Sequence, residues 1–516
     1  MSSASRRLSP WRVILAILIL TGVVISSGLG VRHWVEDRKG GTSNKSWFAS
    51  YVDVTATPTF AFEQMGKTDK RDAVLSFIVS YSADPCTPSW GGVYTLDQAR
   101  ASLDLDRRIA RLQQQDGSIA VSFGGRDHSE LAVECTDAHK LLNAYKSVVD
   151  RYNIDTIDLD LENSALSNPD IGERRAKAIA QLQAQSRKSH KNLAVWATLA
   201  VTPDGLSEDG TSAVGQLLKE GVDLAGVNIM TMDFGSSRAK GQSMLSASEN
   251  ALVQAHRQIS ILYQNSGTHL NDSTVWSKIG VTPMIGQNDN ANEVFSLDDA
   301  KGLNKFARSH KVKRISMWSG NRDIACGSNY VNLKVVSTSC SGVEQSQGEF
   351  ASTLGAGIDG NISLSSGLVT NADPTKGQEP DNPDTSPYQI WSAEGAYLEG
   401  TKVVWHHNVY QAKWWTQGDV PDSPVLQTWQ TPWKLIGPVL AGEKPIPQPK
   451  LPDGTYPDWS GSASYDTGQR VLFKGVPYQS KWWNKGNSPA AASSNADSSP
   501  WVPLTQEQVN KVVRKK

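Results

Sequence analysis

The sequence predicts an α/β chain: a (β/α)8 barrel over residues 45–350, followed by two small all-β modules at 388–438 and 456–505. Three observations carry this. Short β-branched runs alternate with amphipathic segments over about 300 residues, which is the pattern of repeated strand-helix units. A stretch rich in Gly, Ser, Asn, Asp and Pro, 351–387, then interrupts the alternation as a linker. Beyond it, residues 388–433 recur at 456–501 with a constant offset of 68 and no gap.

In chain order, strands are expected at Val52 to Phe60, Val74 to Val79, Ile119 to Phe123, Thr156 to Leu161, Ala194 to Leu199, Gly226 to Met232, Ile279 to Ile285 and Arg314 to Trp318. Between them lie helical patterns. Asp137 to Tyr152 places Leu141, Leu142, Tyr145, Val148, Val149 and Tyr152 on one face, and Ser296 to His310 opens with a Ser-x-x-Asp cap. The segment Phe62 to Asp72 is too short for a full helix, so the first repeat is defective. In the modules, the offset pairs Trp391 with Trp459, Tyr397 with Tyr465, Tyr410 with Tyr478, Trp414-Trp415 with Trp482-Trp483, and Trp433 with Trp501. Neither unit contains Cys, so each depends on a dense aromatic core, and a Pro-rich spacer at 439–455 joins them.

Composition narrows the function. Lys and Arg total 51 against 52 Asp and Glu, a net charge of -1, so nucleic acid is not an expected partner. Ten of the 17 Trp lie from Tyr388 onward. At the other end, a basic segment at 1–12 precedes the uncharged apolar run 13–31. That run is long enough to span a bilayer at about 1.5 Å per residue. No clean A-x-A site follows it, so an uncleaved signal-anchor is preferred to a cleaved signal peptide. The expected location is outside the cell, secreted or held on the outer face of the membrane.

Cys86, Cys135, Cys326 and Cys340 are an even set without CxxC spacing, so disulfides are expected and a metal site is not. Of the three connectivities, Cys86 with Cys135 and Cys326 with Cys340 is preferred. The second pair closes a short loop and the first ties neighbouring loops. His406-His407 lacks partner ligands and is a surface pair.

The pointed chemistry is in Ile154 to Asn163, "IDTIDLDLEN". With a period of two, Asp158, Asp160 and Glu162 share one face, opposite Ile157, Leu159 and Leu161. In a barrel that face is the interior, and Glu162 stands nearest the C-terminal mouth. Three inward like charges bring no structural gain, and their repulsion keeps a proton on the set near neutral pH, as a general acid requires. The bland readings are a solvated edge strand or a calcium loop, and the alternating Ile and Leu and the missing Gly make the second a poor one.

Asp155-x-x-Asp158-x-Asp160-x-Glu162 resembles the DxxDxDxE signature of glycoside hydrolase family 18, the chitinases and their relatives. "SFGG", Ser122 to Gly125, resembles that family's SxGG motif, "NIMTMDFG", Asn228 to Gly235, its M-x-Y-D motif, and "SMWS" puts Trp318 at its eighth-strand Trp. The resemblance implies retaining, substrate-assisted hydrolysis without a cofactor. Glu162 would be acid and base, Asp160 would orient the acetamido group, and Asp158 would share a proton with Asp160 above a supporting Ser122. Gly124 and Gly125 would shape the substrate site, with Asp233 and Trp318 positioning the sugar. Asp155, off the inward parity, would be structural. Met232 stands where the family has Tyr, and Gln287 is a candidate to replace that hydroxyl.

The repeats, with "AKWWTQG" at 412–418, resemble carbohydrate-binding modules of family 5/12, and Trp391, Trp414, Trp415, Trp459, Trp482 and Trp483 would stack on sugar rings. The expected partners are chitin and its oligosaccharides, and the expected state is a monomer. Two alternatives remain open: a catalytically silent lectin, which Glu162 argues against, and an endo-β-N-acetylglucosaminidase acting on protein-linked glycans, which the paired modules argue against.

Overall fold

The computed structural model describes residues 45–67, 72–330, 332, 335–362, 380–440, 442–445, 449–489 and 499–514. The expected signal-anchor at 13–31 lies outside them, as does 363–379 of the expected linker. Among the described residues no helix is long and apolar enough to cross a membrane.

Eight parallel strands of the described residues close into a (β/α)8 barrel: β1 (Trp47–Asp53), β2 (Ala73–Tyr81), β3 (Ile119–Gly124), β4 (Thr156–Leu161), β5 (Ala194–Thr202), β6 (Leu224–Met230), β7 (Ile279–Thr282) and β8 (Arg314–Met317). β1 pairs with both β8 and β2, which seals the cylinder. The helices form where the apolar period asked for them. Ala138–Tyr152 is capped by the Asp137 side chain, and Leu297–His310 by a reciprocal capping box between Ser296 and Asp299. The defective first repeat holds a 3-10 helix, Phe62–Lys67.

The first strand lies earlier than the expected 52–60. The apolar alternation of Trp47, Ala49 and Tyr51 builds the strand, and the chain turns at its end because Asp53 Oδ1 accepts from both the amide and the hydroxyl of Thr55. Pro58 could not have extended the ladder. Pro283 likewise follows directly on β7, short of the expected Ile285, and β6 ends at Met230 rather than Met232. A further strand, Asp84–Trp90, runs antiparallel to β2. Its two prolines read as loop, and it is an outer strand, where prolines are tolerated.

The barrel floor is apolar. Trp47 meets Trp196 edge to face at 5.8 Å, and Gly226 makes room for that ring, since a Cβ there would lie 2.4 Å from it. Ile362 completes this cluster, its amide donating to Asp72 at 3.0 Å and its carbonyl accepting from Thr156. Packing against the barrel therefore reaches Ile362, past the expected boundary at 350.

Both expected disulfides form. Cys86–Cys135 joins the extra strand to the segment after β3, and Cys326–Cys340 closes a loop after β8.

The C-terminal repeats share one design. Each has a two-stranded ladder and a three-stranded sheet: Lys402–Trp405, Asn408–Ala412 and Trp433–Pro438 in the first, Arg470–Phe473, Val476–Ser480 and Trp501–Pro503 in the second. Tyr397 packs edge-on to Trp433 at 5.3 Å, and Tyr465 to Trp501 at 5.0 Å. The indole of Trp433 donates to the Asp419 carbonyl and that of Trp501 to Asn487, both at 2.8 Å. The second repeat is followed by a helix, Gln506–Arg514, whose Val509 packs on Leu451, Leu472 and Leu504.

Candidate active site

A cleft of about 740 Å³ opens at the C-terminal ends of the strands, a size that suits a small-ligand site. Tyr51, Phe77, Asp160, Glu162, Met232, Asp233 and Trp318 all line it.

β4 supplies the row of carboxylates at the expected parity. Asp158 is fully buried, Asp160 is 3 % exposed, and Glu162 follows the strand half-buried at the rim. Glu162 precedes the short helix Asn163–Ser167 without capping it, so its carboxyl is not taken up by backbone amides there.

The deepest carboxylate is surrounded by donors. Tyr51 (2.8 Å) and Ser122 (2.7 Å) donate to its Oδ2, and Thr198 (2.7 Å) and Arg314 (2.5 Å) to its Oδ1. Arg314, also buried, donates onward to Tyr51 and Ser316. Asn228 donates to Thr198 and accepts from Thr282, which extends the network across β5, β6 and β7. Four donors, one of them cationic, thus occupy the two oxygens of Asp158. Ser122, on β3, is one of these donors.

Asp160 is held differently. Its Oδ1 is buried without a hydrogen-bond partner among the described residues. Burial, then the neighbouring Glu162 and Asp158, push its carboxyl well above the usual range, and Arg314 offsets part of this. Burial also raises Glu162; Arg126 opposes the rise, and Asp127 and Asp233 add to it. The upper pair is thus set to retain a proton where ordinary carboxyls would lose theirs.

The two glycines of the SFGG motif explain themselves sterically. Gly124 has φ 105°, and a Cβ there would stand 2.1 Å from the Asp160 carbonyl oxygen. Gly125 has φ 87°, donates to that same oxygen at 3.0 Å, and would drive a Cβ into the Phe77 ring at 2.9 Å. Phe77 stacks on Trp318, ring centroids 5.6 Å apart, with Tyr51 against both, and together they form an aromatic side to the cleft.

Asp233 lies beyond β6 with φ 48° and a raised pKa, chiefly through burial and then through Asp289. Its Oδ1 accepts from the amides of Asp289 and Asn290, so it ties the β6 and β7 loops together as well as lining the cleft. Buried Glu293 completes that tie by accepting from the amides of Phe234 and Gly235. Gln287 does not take the role expected of it. It is buried away from the cleft lining, its amide donating to the carbonyls of Asn288, Asn290 and Glu293. Met232 instead lines the cleft, as do Met230 and Met284.

In the repeats, Trp414, Trp415, Trp482 and Trp483 are 44 %, 54 %, 45 % and 61 % exposed. Trp391 is buried and Trp459 half-buried. Trp391 belongs to the core of the first repeat, and Trp459 packs on that of the second, because the small modules spend these indoles on their own interiors. Trp429, 63 % exposed, is a further presented indole, without a Trp at offset 68.

Tyr51, Phe77, Thr198, Arg126 and Arg314 were not singled out by the sequence. A signal existed for one: Arg314 heads the otherwise uncharged strand "RISM", where a charge needs a buried partner.

No protein-family model matches the chain. Its sequence is similar to a probable bifunctional chitinase/lysozyme of Escherichia coli (strain K12), 31% identical over 301 residues, 56% of this chain and 33% of that protein. It is also similar to endochitinase 11 of Metarhizium anisopliae, 30% identical over 295 residues, 55% of this chain and 54% of that one. The chain thus spans a third to about half the length of these curated relatives. Among solved structures, active domain 2 of a chitinase from Pyrococcus furiosus shares the barrel fold at 24% identity, with a TM-score of 0.51 over 60% of this chain and 94% of that one.

Proposed function

We propose that this chain is a glycoside hydrolase family 18 chitinase, exported, that cleaves β-1,4-linked N-acetylglucosamine polymers with retention of configuration. The observation that carries the reading is the inward row of Asp158, Asp160 and Glu162 at the mouth of a barrel whose sequence is similar to proteins named as chitinases.

Glu162, its proton held by burial, donates to the glycosidic oxygen as the bond to C1 breaks. The 2-acetamido oxygen of the substrate closes onto C1, and Asp160 accepts from the acetamido N–H and stabilises the cyclic cation. Glu162 then takes a proton from water as that water attacks C1 from the face the leaving group vacated, breaking the bond between C1 and the acetamido oxygen. The aromatic side formed by Phe77 and Trp318 supports the sugar, and Asp233 positions it from the β6 loop. The two repeats hold the insoluble polymer through Trp414, Trp415, Trp482 and Trp483, whose exposed indoles suit stacking on pyranose faces.

The test is digestion of chitin oligosaccharides with anomers resolved at early times. β-Anomers first, and inhibition by a thiazoline mimic of the cyclised intermediate, are expected. Initial α-anomer release, or no cleavage at all, overturns the reading.

A further inference from the structure

The two ends of one ion pair stand on opposite sides of the barrel. Arg126 follows the SFGG segment that ends β3, and Asp289 sits in the turn of a hairpin after β7, where Gly286–Gln287 pairs with Val294–Phe295. β3 and β7 are four strands apart in a closed ring of eight, so they face each other across the axis. Arg126 Nη1 nevertheless reaches Asp289 Oδ2 at 2.5 Å, and both residues line the cleft. Their side chains are 70 % and 39 % exposed, which puts the contact at the top of the cleft rather than in its depth. On one side of the line from β3 to β7 lie β8, β1 and β2, with Trp318, Tyr51 and Phe77; on the other lie β4, β5 and β6, with Glu162, Met232 and Asp233. A ligand that touches both the aromatic rings and the rim carboxyl has to pass beneath that line.

The ends of this bridge are anchored, and only its middle is free to part. The Arg126 carbonyl accepts from Asn163 Nδ2 at 3.0 Å, and the Asp289 amide donates to Asp233 Oδ1 at 2.8 Å. Parting therefore takes the rotation of two exposed side chains and the loss of one exposed ion pair, a small cost. A second cation stands ready for the released carboxylate. Arg322, from the short 3-10 helix Gly320–Arg322 after β8, lines the same cleft and is 1 % exposed. Its Nη2 donates to the Gln287 carbonyl at 2.6 Å, while Nε and Nη1 are buried without a hydrogen-bond partner among the described residues. Unmet donors on a buried cation favour any acceptor that can reach them. Burial lowers the pKa of that guanidinium to about 10 against the opposing charges of Asp289 and then Asp233, so both carboxylates are within its electrostatic reach.

We propose that Arg126 and Asp289 decide how a glycan enters the cleft: paired, they close a bridge over the chain, and an internal segment of polymer is admitted or released only when the pair parts. The inference rests on the hydrolytic reading, in which the sugar lies on the aromatic side and its glycosidic oxygen at Glu162, so that the bond to be cut lies under the bridge. A chain end threads beneath the closed pair, and a chain held there slides lengthwise more readily than it leaves sideways.

The test uses the full chain with Glu162→Gln, so that nothing is cut, and with Trp414, Trp415, Trp429, Trp482 and Trp483 changed to Ala, so that the repeats do not compete for ligand. Association and dissociation rates of a soluble N-acetylglucosamine hexamer are measured by stopped flow from low to high salt. The ligand is uncharged, so salt acts on these rates through the charges of the protein. Both rates should rise together, by about two- to five-fold, as salt screens the pair, with their ratio unchanged. Asp289→Asn should show the raised rates already at low salt and lose the salt dependence, and Asp289→Glu, which keeps the charge, should behave as the parent. A merely structural role would raise dissociation alone. That outcome, or rates that ignore both salt and Asp289→Asn, overturns the bridge and leaves the carbohydrate reading standing; no binding at all removes that reading and the proposal with it. In the cutting enzyme, early digestion of insoluble chitin by Asp289→Asn should leave a larger share of the new reducing ends on the solid than wild type does, and an unchanged share overturns the proposal.

Discussion

The barrel mouth and the C-terminal repeats invert the usual distribution of side chains in opposite senses. In the barrel, carboxylates are buried among aromatic rings; in the repeats, indoles stand in solvent. Each inversion costs stability and marks a place where the chain serves something other than its own folding. The two regions also differ in how they are specified. Asp158 is held by residues from four other strands, far apart in sequence, whereas each repeat is its own control. A position that is buried in both copies belongs to the core, and one exposed in both belongs to the surface that is presented.

The largest expected effect breaks the barrel side of this contrast. Glu162→Gln should lower hydrolysis of soluble oligomers by at least about 10²- to 10⁴-fold while the thermal transition stays in place; turnover near wild type would remove the acid from the rim. Next comes the repeat side. Deleting both repeats by ending the chain after 362 should leave soluble hydrolysis unchanged and weaken binding to insoluble chitin, by up to about 10²- to 10⁴-fold if the two sites engage together. A bare barrel that sediments with chitin as fully as the whole chain would assign the indoles another role. Ending the chain at 350 instead removes Ile362 from the floor, and Ile362→Ala alone should cost about 2–5 kcal/mol of stability, read from denaturant unfolding.

Within one repeat the comparison can be made sharper still. Trp433→Ala removes a core indole that is 3 % exposed and should destabilise that module by about 3–5 kcal/mol. Trp415→Ala should change its stability by no more than about 0.5 kcal/mol and still weaken chitin binding. Equal melting of the two variants would dissolve the distinction between core and presented tryptophans.

The smallest effect is a pH-dependent one. The Asp160 carboxyl is raised in the folded protein, so the fold binds its proton more tightly than the unfolded chain does. Its contribution to stability is fully present below the unfolded carboxyl range and is lost as pH rises through the folded value. Asp160→Asn should therefore melt above wild type at neutral and alkaline pH, and the gap should close on acidification. A gap that widens in acid would reverse the sign of the shift.

How much of this was legible follows from the range of the interactions. β4 was readable to the residue, because Asp158, Asp160 and Glu162 alternate with Ile and Leu in a single run. Both disulfides were readable from loop proximity. The first strand was misplaced because Val54 to Phe60 is β-branched enough to pass for a strand, and only the turn at Asp53 and Thr55 shows otherwise. Gln287 was a plausible donor on composition, but its amide is consumed by three carbonyls of its own loop. Trp391 and Trp459 share a residue type with the presented indoles, and only burial separates them. The partners of Asp158 lie up to 156 positions away in sequence and had no local pattern to announce them.

The contact between Gly124 and the Asp160 backbone limits how this site can evolve. A Cβ at 124 would stand 2.1 Å from that carbonyl oxygen, far inside van der Waals contact, so any side chain there must push the two strands apart. The other neighbour of Asp160 is Thr198 on β5, whose register partner is Asp160 itself. On that side the Thr198 hydroxyl is already committed to Asp158. The backbone that carries Asp160 is thus hemmed by a glycine on one side and by a committed hydroxyl on the other.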